Sequence, residues 1–153
     1  RQWKRAKREG IRRYRDAVRR KAKDTYGLEP ENSTLWKAIN GAAGELAVCL
    51  ALRLTWSAER RDGRDGPDVG EYTQVRTTEK VRPSSKLTLH KEDRRHGEVP
   101  WVMVTLEDEV RHVYRVVGFL MSSEAFANAV WDDFGKGAHR RCLTVTQDKL
   151  RDF

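Results

Sequence analysis

Asp68 closes the turn-rich run Gly63-Arg64-Asp65-Gly66-Pro67, and Gln74 and Arg76 follow it in the alternating stretch Tyr72–Thr78. In an extended strand successive side chains point to opposite faces, so Gln74, Arg76 and Thr78 share one side. Upstream, Glu45 ends the small-residue run Gly41-Ala42-Ala43-Gly44. Carboxylates brought together on such a frame offer hard oxygen ligands for Mg²⁺ or Mn²⁺. A cation two residues past the second acid can stabilise phosphate charge, and together these are the needs of metal-assisted phosphodiester hydrolysis. A competing reading takes Asp68 as a stabiliser of its own turn, and Gln74 and Arg76 as the exposed face of an edge strand.

The elements that must hold these residues follow from periodicity. Trp3, Ala6, Ile11, Tyr14, Ala17, Val18, Ala22 and Tyr26 recur at mostly three- and four-residue steps, predicting an amphipathic helix over 3–26 that Gly27 ends. Gly10 weakens that helix by about 1 kcal/mol. Leu35, Ile39, Ala42, Ala43, Leu46, Cys49, Leu50 and Leu54 predict a second helix over 35–54, capped by Asn32, Ser33 or Thr34. Gly41 and Gly44 inside it imply close approach of a neighbouring element. A first strand is expected over 55–59. Leu87–Leu89 reads as a short strand or a helix start, and 91–97 as a charged, mobile loop. The continuous apolar run Trp101–Leu106 has the pattern of a central strand, with 112–119 its hairpin partner. A helix over 124–130 capped by Ser122 or Ser123, a loop over 132–137, a strand over 141–145 and a short terminal helix capped by Thr146 complete the chain. This order predicts an α/β fold with a central mixed sheet flanked by helices, an N-terminal basic helix over 1–28 and the remaining domain over 29–153.

At 153 residues the chain has the size of one domain. Residues 1–26 carry 12 Lys and Arg against Glu9, Asp16 and Asp24, leaving 19 cations against 20 acids in the rest, so the net charge of +8 belongs to the first helix. Lys4, Arg5, Arg8, Arg12, Arg15 and Arg19 are its candidate contacts to nucleic-acid phosphates, DNA being the expected partner. Trp3 is a candidate platform for stacking on a base. A solvated charged helix, or one docking on an acidic protein, explains the same charge. Cys49 and Cys142 lack metal-ligand or disulfide spacing and read as buried thiols. His90, His96, His112 and His139 are scattered and read as surface residues. No apolar run approaches the roughly 20 residues that span a bilayer, and no signal-peptide pattern is present, so no membrane partner and an intracellular, cytoplasmic setting are expected. The chain opens at Arg1 rather than Met, which reads as part of a longer polypeptide.

Taken together, Glu45 on a helix, Pro67-Asp68 at a strand end and Gln74-Val75-Arg76 on the next strand resemble the PD-(D/E)xK nuclease superfamily over about residues 35–106. The resemblance implies an αβββαβ restriction-endonuclease-like core and a deoxyribonuclease using Mg²⁺ or Mn²⁺. Its site would comprise Glu45, Asp68, Gln74 and Arg76, and a homodimer is compatible with it. Two positions depart from the family pattern. Gln74 stands where an acid is usual and offers a metal only a neutral carbonyl. Arg76 stands where lysine is usual and stays charged, so it cannot act as a base. Glu71 is the candidate for the missing acid, joining Asp68 and Glu45 as metal ligands, and Lys80 or Lys86 for a migrated lysine. The alternative is a catalytically inactive nuclease-fold protein that binds nucleic acid.

Overall fold

The computed structural model describes residues 1–20, 32–57, 67–78, 84–133 and 142–153. Helix α1 spans Gln2–Arg19. At its end the Arg20 N–H donates to the carbonyls of Asp16 and Val18; the predicted continuation over 21–26 and the expected Gly27 cap lie outside the described residues. Helix α2 spans Asn32–Ala51, so the residues expected to cap it form its first turn. Its other end is closed by Arg53, at φ 55°. The Leu54 N–H donates to the Cys49 carbonyl and the Arg53 N–H to that of Leu50, a Schellman motif with arginine at the position glycine usually takes.

α2 is buried on most sides, through Ile39, Ala42, Ala43, Leu46, Val48 and Cys49, because it lies between α1 and a sheet. The helices approach closely at Gly10, where a Cβ would stand 2.4 Å from the Ile39 Cα. Gly10 is therefore a crossing point as well as a weak position in the helix. Gly44 meets the strand that carries Thr77 in the same way: its Cβ would fall 1.9 Å from Thr77 Oγ1. Gly41, expected to do likewise, faces open space.

The mixed α/β class agrees with the sequence, but the expected single central sheet does not appear. β1 (Gln74–Thr78), β3 (Pro100–Asp108) and β4 (Val113–Met121) form one sheet in the order β1-β3-β4, and β2 (Lys86–Leu89), β6 (Cys142–Thr146) and β5 (Val130–Asp132) a second in the order β2-β6-β5. β1 runs parallel to β3, pairing Gln74 with Trp101 and Arg76 with Met103; the remaining pairs are antiparallel. β3 separates two cores, which is why its sequence is apolar without alternation. Val102 and Val104 pack with Ala42, Leu46 and Cys49 of α2 and with Ala6 of α1, whereas Trp101 and Met103 pack with Leu87, Leu89, Leu143, Val145 and Ala125. The basic helix thus shares a core with the body.

Other expectations shift in detail. Thr55–Ser57 is irregular rather than a strand, and 58–59 lies outside the described residues. Residues 91–96 form a 3₁₀ helix anchored by buried Asp93, whose Oδ2 accepts the His90 N–H at 2.9 Å. α3 spans Ser122–Asn128. Residues 130–132, predicted as the end of α3 and the start of a loop, are β5. The buried Ser122 hydroxyl is used as an acceptor from Trp101 Nε1 and the Val99 N–H. Gln147–Lys149, expected as a short helix capped by Thr146, form a single 3₁₀ turn to which the Thr146 side chain gives no capping hydrogen bond. Among the described residues no helix is long and apolar enough to cross a membrane.

Candidate functional site

The turn that begins at Pro67 places its acids through backbone pairing. Asp68 and Val69 donate their N–H groups to the Thr73 carbonyl, and the Thr73 N–H returns a bond to Val69. Gly70, at φ 61°, makes the reversal. Asp68 Oδ2 accepts the Val75 N–H at 2.8 Å, which ties the carboxylate to the first residues of β1, while Glu71 stays exposed at the tip. From the other side, the Schellman end of α2 releases the chain into Thr55-Trp56-Ser57. The Trp56 carbonyl accepts from Arg5 Nη2 at 2.9 Å, and the same guanidinium lies over the indole ring.

These segments enclose a polar cavity of about 260 Å³. Glu45, Asp68 and Glu71 line it together, as do Arg13, Cys49 and Trp56. Arg13, whose side chain is only 11% exposed, dominates the electrostatics. Its Nη1 and Nη2 donate to Glu45 Oε1 and Oε2 at 2.5 and 2.6 Å, and its Nε donates to Glu9 Oε1 at 2.8 Å. Burial acts to lower the Arg13 pKa, but the hydrogen bonds and charges of Glu45 and then Glu9 outweigh it, and the guanidinium is held charged. Burial likewise pushes Glu9 up, yet the hydrogen bonds and charges of Arg12 and Arg13 prevail and its carboxyl titrates below the ordinary range. Cys49 is a free, buried thiol raised above its usual pKa by burial and by the charge of Glu45; Cys142 is also free and buried. Trp56 Nε1 is buried and finds no acceptor among the described residues.

Gln74 and Arg76 share a face as predicted, but that face looks away from the cavity, whose lining they do not join. Gln74 Nε2 lies 3.4 Å from His96 Nδ1. Arg76 donates to Asp93 Oδ2 at 2.8 Å, stacks over the Trp101 ring and comes within 4.0 Å of Asp68 Oδ2. β1 is an edge strand of its sheet, as the competing reading required, but this face of it is not exposed. Gln74 is buried, and the two side chains fasten the 3₁₀ helix to β1. Lys86, a candidate migrated lysine, pairs with Asp132 in the second sheet at 2.7 Å and does not line the cavity; Lys80 lies outside the described residues. Among the described residues no group of three or more His, Cys, Asp and Glu side chains is arranged to hold a metal ion.

On α1, Arg8, Arg12, Arg15 and Arg19 line one open groove with Ile11 and Asp16. Arg12 is tied to Glu9 and Asp16, and Arg5 to Trp56, whereas Lys4, Arg8 and Arg15 are exposed. Trp3 is not a free stacking platform, because its ring stacks on His112 at 3.8 Å and meets Trp36 edge-on. The histidines correct the surface reading. The His96 side chain is buried, and burial lowers the His90 pKa despite nearby Asp93; His139 lies outside the described residues. Sequence reasoning passed over Arg13 and Glu9. The signal was present, since Ala6, Gly10, Arg13 and Ala17 recur at the spacing of one helical stripe, which turns Arg13 toward the body. Compared with family models, curated proteins and solved structures, the chain matches none.

Proposed function

We propose that the chain is a nuclease-like protein that binds DNA and hydrolyses its phosphodiester bonds with Mg²⁺ or Mn²⁺. In this reading α2 and the β1-β3-β4 sheet are the PD-(D/E)xK-type core. The observation that supports it is that Glu45, from α2, and Asp68 and Glu71, from the turn before β1, line one cavity beside the arginine-rich helix. The donor set is all oxygen and fits a hard divalent ion in type. In geometry the three carboxylates are not arranged as a ligand set as they stand, and reaching one requires them to rearrange and Glu45 to give up Arg13, which occupies both of its oxygens.

Asp68, Glu45 and Glu71 would hold the ion, which when bound lowers the pKa of water and neutralises charge developing on phosphate. Asp68 is pre-oriented by the Val75 N–H. Arg76 steadies Asp68 from 4.0 Å and, being permanently charged, takes no part in proton transfer. Exposed Lys4, Arg8 and Arg15 supply sequence-independent attraction to the phosphate backbone.

The placement of Gln74 against His96, with no second strand acid beside Asp68, favours a second reading: a nuclease-fold protein that binds nucleic acid without cutting it. Incubating supercoiled plasmid and single-stranded DNA with the protein, with and without Mg²⁺ or Mn²⁺ and alongside Asp68→Ala, separates the two. Metal-dependent cleavage that disappears in Asp68→Ala is the expected result. Salt-sensitive binding with no cleavage in either metal would replace it with the second reading.

A further inference from the structure

We propose that α1 binds a single DNA strand, with phosphates on the line Lys4, Arg8 and Arg15 and bases turned onto the flank formed by Ile11, Tyr14 and Val18; the proposal rests on the DNA-binding reading of α1 and needs neither a cation nor cleavage. The helix is divided lengthwise into faces. Ala6, Glu9 and Gly10 are buried and the Arg13 side chain is nearly so, which fixes the stripe that packs on α2. Lys4, Arg8 and Arg15 recur at four- and seven-residue steps on the opposite side, all exposed, and span about 16 Å of helix axis. Arg19, 80% exposed, continues the line although it approaches Asp16.

The two flanks of this basic crest differ. On one, Ile11, Tyr14 and Val18 succeed one another at three- and four-residue steps behind exposed Lys7. Val18 is 45% exposed, and Ile11 shares the open groove with Arg8 and Arg15. An apolar strip therefore runs directly beside the cations. On the other flank Glu9 and Asp16 occupy Arg12, and Arg5 donates to the Trp56 carbonyl. A helix seated in a duplex major groove, about 12 Å wide, runs between two backbones, so it needs cations on both flanks and base-reading side chains at its crest. α1 has its cations at the crest and carboxylates on one flank, where a second backbone would be repelled. A single strand fits this order. Its backbone follows the crest, and its bases, free of a complement, can lie against Tyr14, because every base has a face that stacks on an aromatic ring whatever the sequence.

The test measures anisotropy of a fluorescein-labelled mixed-sequence strand, alone and annealed to its complement, over a salt series in EDTA, so that no metal-dependent event contributes. The proteins are wild type, Tyr14→Ala, Tyr14→Phe and Arg15→Gln, each checked for folding by thermal melting. Wild type should bind the single strand about tenfold more tightly than the duplex at matched salt. Tyr14→Ala should lose about tenfold on the single strand, with its salt slope unchanged and duplex binding little altered, whereas Tyr14→Phe keeps the ring and should keep the affinity. Arg15→Gln should instead lower the single-strand slope by about 0.7. Photocrosslinking of wild type to a strand carrying 5-iododeoxyuridine, mapped by mass spectrometry, should mark the peptide that holds Tyr14, and it carries the test should Tyr14→Ala fail to fold. Equal or tighter binding of the duplex, wild-type affinity in folded Tyr14→Ala, or crosslinks that map only elsewhere would overturn the single-strand assignment and leave α1 as a nucleic-acid surface. Failure of wild type to bind either form overturns the assignment and the DNA-binding reading together.

Discussion

One guanidinium buried between two carboxylates, Glu9 and Glu45, sets the character of the residues that matter here, because each charge is tolerable only while the others remain ionised. Glu9 makes this measurable. Its folded pKa lies below the ordinary 4.5, so its ionised form contributes stability that is fully present above that pH and is lost as pH falls through the depressed folded value. Urea unfolding midpoints followed from neutral pH downward should therefore decline below about pH 4.5. Glu9→Gln should start lower at neutral pH, by about 1–3 kcal/mol for the charged hydrogen bonds it gives up, and decline less steeply. Parallel curves for the two proteins would show that Glu9 is not a source of the acid sensitivity. At this scale the sequence was only partly legible. Asp68 and Glu45 stand out by type and neighbours, whereas Arg13 is marked only by its place on the small-residue stripe Ala6, Gly10, Arg13 and Ala17, a signal easily passed over in a stretch rich in arginine.

Elements were more readable where a residue pattern has a single physical cause. Six consecutive buried residues of β3, Trp101–Leu106, set between two cores, yield an apolar run broken only by Thr105, and its antiparallel partner follows after a short polar turn. Glycine inside a helix has several causes, and here the three cases diverge. Gly10 permits the α1–α2 crossing, Gly44 accommodates Thr77, and Gly41 meets nothing within 4 Å. Gly10→Ala should destabilise the protein by roughly 1–3 kcal/mol as an overpacked contact, despite alanine's better helix propensity. Gly41→Ala should instead stabilise it by about 0.5–1 kcal/mol, because only the backbone term changes. Denaturant midpoints compared with wild type check both signs, and a neutral Gly10→Ala would mean the helices do not cross where described. The division of the strands into two sheets was not legible, because a short strand such as Val130–Asp132 reads like the end of the helix before it.

Over the whole molecule, the concentration of positive charge in the first helix is visible from composition alone, but how much of it remains available to a partner depends on the fold. Arg5, Arg12 and Arg13 are spent on Trp56, Glu9, Asp16 and Glu45, and Arg19 approaches Asp16. Among the described residues Arg8 and Arg15 stand exposed on the open groove, two turns apart, with Lys4 exposed one turn before Arg8. If nucleic acid follows that line, binding should weaken with salt in proportion to the phosphates these side chains neutralise. Replacing both Arg8 and Arg15 by glutamine should reduce the slope of log affinity against log salt by about 1.4 for a single strand, at roughly 0.7 per phosphate contact. Lys91→Gln with Lys149→Gln removes the same charge from the 3₁₀ segments that follow β2 and β6, where both side chains are exposed, and should leave the slope near its wild-type value. Fluorescence anisotropy with a labelled single strand over a salt series provides the comparison. Equal losses in the two double variants would mean that the partner senses net charge rather than the face of α1, and the assignment of that helix as the nucleic-acid surface would then fall.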